Sequence, residues 1–458
     1  MLGLIAAAPA LAEAPPPVQG LSVQTVLRAV DAHHPKIAAV LQKIEAARGK
    51  RLKAQGGFDP ELRLKGEWKP EGFYQTRALD SILAQPTPLW GAEIFAGWRI
   101  GRGNFAVYDG GFETQPGGEV RAGIAVPVWR DGWIDRRRTD VRQTRIGARV
   151  AELEARSQRI ELYRQARRAY LSWLGAGLDL QIQQALLTIA TERQRQIEVA
   201  VQEGALPPLD AIDNRRLMLR RRDRVLRADQ RFLATAVALS LYYRDGRGQP
   251  VRPGRQRLPA ALPEVRLPAA RLPVWLKRAQ RERPELLALA QRRDIADLEL
   301  DLAGNQQAPD VRLQAYVAKD LGAESSSLEP AELGLGVEAK WPLPLRRSRG
   351  DKAVARADKA QLVAQLRGLR DQIGAQVRQA WLALHTALRR FRVSDEGLRL
   401  SVRVSAAERA RFREGTGTLV VVNLRETAEA ETASERLSAL ADFHRAYADL
   451  LAAVGALR

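Results

Sequence analysis

The chain has 458 residues, is 45% hydrophobic, carries a formal net charge of +20 and contains no Cys, so it can bury a core but has no disulfide frame, thiolate metal site or lipid-modified N-terminal Cys. Its basic residues are mostly Arg and are spread along helical faces, the pattern of a solvated or lumen-lining surface rather than of a nucleic-acid patch. No apolar run reaches the roughly 18 to 20 residues of a membrane helix, so any membrane crossing must be a β-barrel.

Residues 1–20 read as a residual signal peptide. Leu2 to Ala12 is apolar and ends in Ala10-Leu11-Ala12, a small-x-small cleavage pattern with Glu13 as the first mature residue. Ser22 then predicts the N-cap of a helix that runs toward Pro60. Past that proline, Leu62, Leu64 and Trp68 alternate with Arg63, Lys65 and Glu67, which predicts a two-faced strand. Pro70 to Gly118 reads as a long outer loop. Within it Ile94, Ala96, Trp98 and Ile100 also alternate with polar or small residues, which suggests a hairpin belonging to the loop. A second strand follows at Val120, Ala122, Ile124 and Val126. From about Ile134 to Gln202 there is no proline, and nearly 70 helical residues would reach roughly 100 Å. Gly204 is expected to end that helix as a left-handed cap, and the chain reverses into another helix.

Residues 251–271 form a Pro/Arg-rich connector, and residues 272–458 repeat the plan of residues 21–250. Pro35 to Pro60 and Pro284 to Pro309 each span 25 residues, a shift of 249. Glu61-Leu62-Arg63-Leu64 then meets Asp310-Val311-Arg312-Leu313. Farther on, Ala169-Tyr170-Leu171 meets Ala380-Trp381-Leu382 and Glu203-Gly204 meets Glu414-Gly415, with a shift of 211. The second half also has two alternating runs, at Val311 to Val317 and Leu333 to Trp341, then a long helix from about Gly350 to Arg413 and a turn at Gly415. In the last helix Leu437, Leu440, His444, Tyr447, Leu451 and Val454 keep a three-four spacing, as in a coiled coil.

Four strands cannot close a membrane barrel, since the smallest have about 8, and lipid forbids open edges. Copies must therefore associate if the strands span, and three copies of four strands give twelve. Trp68, Trp129, Trp133 and Trp341 at the strand ends suit an interface girdle. His33 and His34, before Pro35, are expected at the surface, and His444 on the last helix in a packed interface.

The order of elements, the duplication, the helix-to-Pro entries and the two glycine turns together resemble the TolC-type outer membrane factors, over about Leu21 to Val454. The resemblance implies a mixed α and β fold. Three chains would share a trimeric α-barrel of long helical hairpins and a 12-stranded transmembrane β-barrel, four strands from each. It implies a homotrimer in the outer membrane of a Gram-negative bacterium, in contact with outer-membrane lipid and extending into the periplasm. It further implies a periplasmic adaptor (membrane fusion protein) and an inner-membrane transporter as partners. No enzyme activity, cofactor, metal or nucleic acid is expected. The function so implied is a passive exit duct for tripartite efflux or type I secretion.

The resemblance also assigns residues. Glu203, Gly204, Ala205, Glu414, Gly415 and Thr416 become adaptor-contact tips. Family members carry Asp-x-x-Asp just after a tip glycine, matched here by Asp210 and Asp213. At the same offsets from Gly415 stand Val421 and Leu424, a departure that makes the inner constriction apolar, with Asn423 beside it. Arg425 is then the expected partner of Asp210 near the neighbouring tip. The bland alternative for both aspartates is a favourable place at a helix N-terminus. The competing function is a periplasmic coiled-coil adaptor or scaffold without membrane strands.

Overall fold

The computed structural model describes residues 20–106, 113–265, 270–323 and 330–457. The signal-like stretch lies outside them. The described residues fold as two compact units, one formed by those within 1–39, 158–283 and 373–458, the other by those within 40–157 and 284–372.

The first unit is helical. Helix α1 (Val23–His33) starts as expected: the Ser22 hydroxyl accepts the Thr25 amide at 3.1 Å. The predicted helix toward Pro60 is in fact two. His34 is extended and α2 begins at Pro35, running to Gln55. The same break recurs at Arg283, between α5 (Leu272–Glu282) and α6 (Pro284–Asn305). In both cases the proline ring bars the preceding residue from helical geometry. His34 at the first break is buried, not at the surface, and stacks on Tyr242 with ring centroids 5.9 Å apart.

Helices α3 (Arg136–Gln202) and α7 (Arg346–Arg413) have 67 and 68 residues. Their C-terminal parts belong to the first unit, with α4 (Pro208–Ser240) and α8 (Leu419–Ala453). The core there is conventional: Trp173, Leu174, Phe232, Leu239 and Val30 are fully buried. The Trp173 and Phe232 rings lie 6.3 Å apart. The connector is held in this unit, since Leu21 N–H donates to the Arg257 carbonyl at 2.7 Å and His444 Nε2 lies 2.9 Å from the Pro263 carbonyl.

The second unit holds one antiparallel sheet in chain order: β1 (Glu61–Lys69), β2 (Thr76–Pro86), β3 (Glu93–Gly103), β4 (Glu119–Pro127), β5 (Asp310–Asp320) and β6 (Glu332–Lys340). The four expected strands are present, but the sheet has six. The segment assigned to an outer loop supplies β2 and β3, inserted between the first and second expected strands. Three copies of this sheet would carry eighteen strands, not twelve.

Register makes the two faces consistent across all six strands. Leu62 opposes Leu83, Leu79 opposes Ile100, Ile94 opposes Ile124, Ala122 opposes Val317, and Leu313 opposes Val337. This face is apolar and exposed: Leu333, Leu335 and Val337 are 74%, 80% and 72% accessible. The other face carries Arg63, Asp80, Arg99, Arg121, Arg312 and Glu338. Ion pairs cross it between Arg99 and Glu119 at 2.6 Å and between Arg121 and Asp80 at 2.5 Å. A single chain thus shows water an apolar sheet face far beyond the scattered exposed hydrophobics of a soluble protein. Among the described residues no helix is long and apolar enough to cross a membrane.

Candidate functional site at the helix turns

The two turns after α3 and α7 share one geometry. Gly204 and Gly415 both have φ of +75°, with nothing within 4 Å of where a Cβ would sit. Glycine is needed there for the left-handed backbone, not for space. The Ala205 amide donates to the Ala200 carbonyl at 2.8 Å and the Thr416 amide to the Arg411 carbonyl at 3.0 Å. These bonds satisfy the last carbonyls of each helix. Glu203, Gly204, Ala205, Glu414, Gly415 and Thr416 are all exposed.

The fold brings four of the residues singled out in sequence to one place. Asp210, Asp213, Asn423 and Leu424 line a cavity of about 370 Å³ together with Asn214, Arg220, Arg221, Leu419 and Val420. Val421 is half-buried and stands outside that lining, and Arg425 is exposed. Asp210 occupies the first turn of α4, where a carboxylate is favoured by the helix dipole. Asp213 pairs with Arg216 one turn on, at 3.4 Å. Among the described residues Asp210 and Arg425 make no ion pair with each other within the chain.

Beside the cavity lies a charged cluster that sequence reasoning missed. Glu426 on α8 is buried, with its side chain 2% exposed. It accepts two bonds from Arg193 of α3, at 2.6 and 2.8 Å. Arg221 of α4 approaches at 3.5 Å and Arg409 of α7 at 3.7 Å. One carboxylate therefore ties together all four helices. Arg193 also donates to Asn423 Oδ1 at 2.8 Å, and Arg221 to the Leu186 carbonyl at 3.1 Å. Next to them Asn214 donates to Gln194 Oε1 at 2.7 Å.

Burial alone would raise the Glu426 pKa. The Arg193 hydrogen bonds and the charges of Arg193, Arg221 and Arg409 outweigh it and hold the carboxyl below its usual range. Burial pushes the Arg221 guanidinium down, against the pull of Glu426. A signal for the cluster exists in the sequence. Leu419, Val422, Glu426 and Ala430 form one buried stripe of α8, and a Glu on such a stripe must find buried cations.

Comparison with known proteins bears on both units. Residues 275–456 match the family described as outer membrane efflux protein. No curated protein matches. Among solved structures the chain is similar to the outer-membrane channel OprN, with 16% identity over 95% of this chain and 90% of that one and a TM-score of 0.67. It is also similar to the outer membrane protein VceC from Vibrio cholerae, with 16% identity over 94% and 96% of the two chains and a TM-score of 0.63. The MtrE outer membrane channel of Neisseria gonorrhoeae gives 15% identity over 95% and 89%, with a TM-score of 0.65.

Proposed function

We propose that this chain, whose residues 275–456 match the outer membrane efflux protein family, is a passive exit duct in the outer membrane of a Gram-negative bacterium. The observation that carries this reading is the sheet. Six paired strands present one continuous apolar face and one charged face, which is what a wall between lipid and water requires. Among the described residues no strand pairs with the outer edges of β1 and β6, and lipid does not tolerate free edges, so copies must complete the wall. Three copies, as in the TolC-type factors the sequence resembles, make a homotrimer whose helices enclose the periplasmic part of the duct. An adaptor or scaffold without membrane strands would leave the apolar face uncovered.

The exposed turns at Glu203 to Ala205 and at Glu414 to Thr416 are the surfaces we assign to a periplasmic adaptor, which links the duct to an inner-membrane transporter. Asp210, Asp213, Val421, Asn423, Leu424 and Arg425 form the proposed periplasmic gate. Asp210 would pair with Arg425 of a neighbouring copy. The order of elements supports an ancestral duplication: two helices, paired strands, a long helix, a glycine turn and a last helix occur in residues 21–250 and again in 272–458. The duct itself needs no catalysis or cofactor.

Replacing both Val421 and Leu424 with Ala is expected to raise single-channel conductance in planar bilayers. Unchanged conductance would remove these two residues from the gate. Recovery of the chain as a water-soluble monomer, absent from outer-membrane fractions, would overturn the duct.

A further inference from the structure

We infer that the β2–β3 hairpin is a third pair of membrane strands in each copy, so that the barrel closed by three copies has eighteen strands and a correspondingly wider outer exit. The inference rests on the duct reading above.

Four observations carry it. First, β2 pairs with β1 over nine residues, from Glu61 opposite Ala84 to Lys69 opposite Thr76, and with β3 over eleven. The hairpin is thus built into the sheet along the full length of its neighbour. Second, its faces agree with those of the flanking strands. Leu79, Leu83, Ile94, Ala96 and Trp98 continue the apolar face. Asp80, Glu93 and Arg99 continue the charged one. A loop hairpin lying outside the membrane would have no reason to keep this register.

Third, the charged face is stitched across the insertion. Arg121 of β4 reaches past β3 to Asp80 of β2, and the residue it passes is Gly97, its own partner in the register. A Cβ on Gly97 would lie 2.8 Å from the Ser81 carbonyl and 3.1 Å from Ile82, so glycine keeps β2 and β3 in close contact at the crossing. Arg63 of β1 likewise meets Glu93 of β3 at 3.5 Å. Fourth, six is even. The last strand, β6, runs opposite to β1, and both have nine residues, so β6 can pair antiparallel with β1 of the next copy and leave no edge in lipid.

Barrel diameter grows roughly linearly with strand number. Eighteen strands therefore enclose a lumen about half as wide again as twelve, in the range where porins hold an open aqueous channel. The exit would pass bulkier solutes than a four-strand-per-copy wall allows.

The absence of Cys makes the test direct. Leu83→Cys, Ile94→Cys and, as reference on β6, Leu335→Cys are each labelled with a small fluorophore in the full-length trimer. The labelled proteins are reconstituted in vesicles with and without a nitroxide-bearing acyl chain. If the hairpin spans the membrane, all three labels lose most of their emission to the lipid quencher and resist aqueous iodide. Labels at Leu83 and Ile94 that respond to iodide while Leu335 is quenched by lipid would overturn the inference and leave the duct intact. A Leu335 label quenched only from water would overturn the duct itself.

Discussion

The two regions that matter most distribute charge in opposite ways. In the sheet the leucines face outward, Leu335 being 80% accessible, while Arg121 and Asp80 meet on the other side. In the helical unit Leu450 is fully buried and Glu426 is buried among arginines. The same side chains obey the same rule in each place, because burial is decided by the solvent on either side. In the proposed duct the sheet has lipid outside and water inside, which inverts the usual plan. A helix pack in water buries its leucines and admits a charge only when counter-charges come with it.

That contrast can be broken at both ends. The largest effect is expected from Glu426→Ala, which leaves Arg193 and Arg221 buried without their anion and should cost about 3–5 kcal/mol, read as a lowered unfolding midpoint of the detergent-solubilised protein. Loss of less than about 1 kcal/mol would mean that water reaches the cluster and that it is not part of the core. Somewhat smaller is Leu335→Arg on the apolar face, about 2–4 kcal/mol at mid-membrane. It should reduce the amount of assembled protein in outer-membrane fractions, whereas Leu335→Met should not. Normal assembly of the Arg variant would place that face in water.

A pH titration sharpens the comparison further. The folded-state pKa of Glu426 is depressed, so the stabilisation is present above the ordinary carboxylate value of 4.5 and is lost as pH falls through the lower folded value. The wild-type unfolding midpoint should therefore drop on acidification through that window, and the Glu426→Gln variant should show a shallower drop. Parallel curves would assign the acid response to other carboxylates. The smallest effect is Ser22→Ala, about 1 kcal/mol from the lost helix cap, detectable as a small shift in the same melt with assembly unchanged.

Much of this arrangement is legible in the sequence. β1, β4, β5 and β6 are legible because one face of each, as far as Val317 in β5, holds only apolar residues or Gly at every second position, set against polar or small residues on the other. The long helices were visible because proline is absent. β2 was not visible, for a physical reason: its apolar face contains Ser81 between Leu79 and Leu83, and its charged face contains Ile82 and Ala84. Neither face is pure, so periodicity gives no signal, and only pairing with β1 and β3 reveals the strand. β3 does alternate, yet without a recognisable partner strand its alternation reads equally well as a hairpin within a loop. At the turns, the positions of Asp210, Asp213, Asn423 and Leu424 followed from counting residues past each glycine. The stripe of α8 marks Glu426 as buried, but its partners need three dimensions, because the arginines come from three helices far apart in sequence.

The evenness of the sheet has one more consequence. Any chain whose first and last strands run in opposite directions can be joined head to tail with its copies into a closed cylinder, and two, three or four copies satisfy every backbone hydrogen bond equally well. Strand pairing is therefore silent on stoichiometry. The number of subunits must be dictated by how the helices pack against one another. In the proposed duct a mutation confined to the helical surface would thus change the count, and with it the bore, without touching a residue of the apolar sheet face.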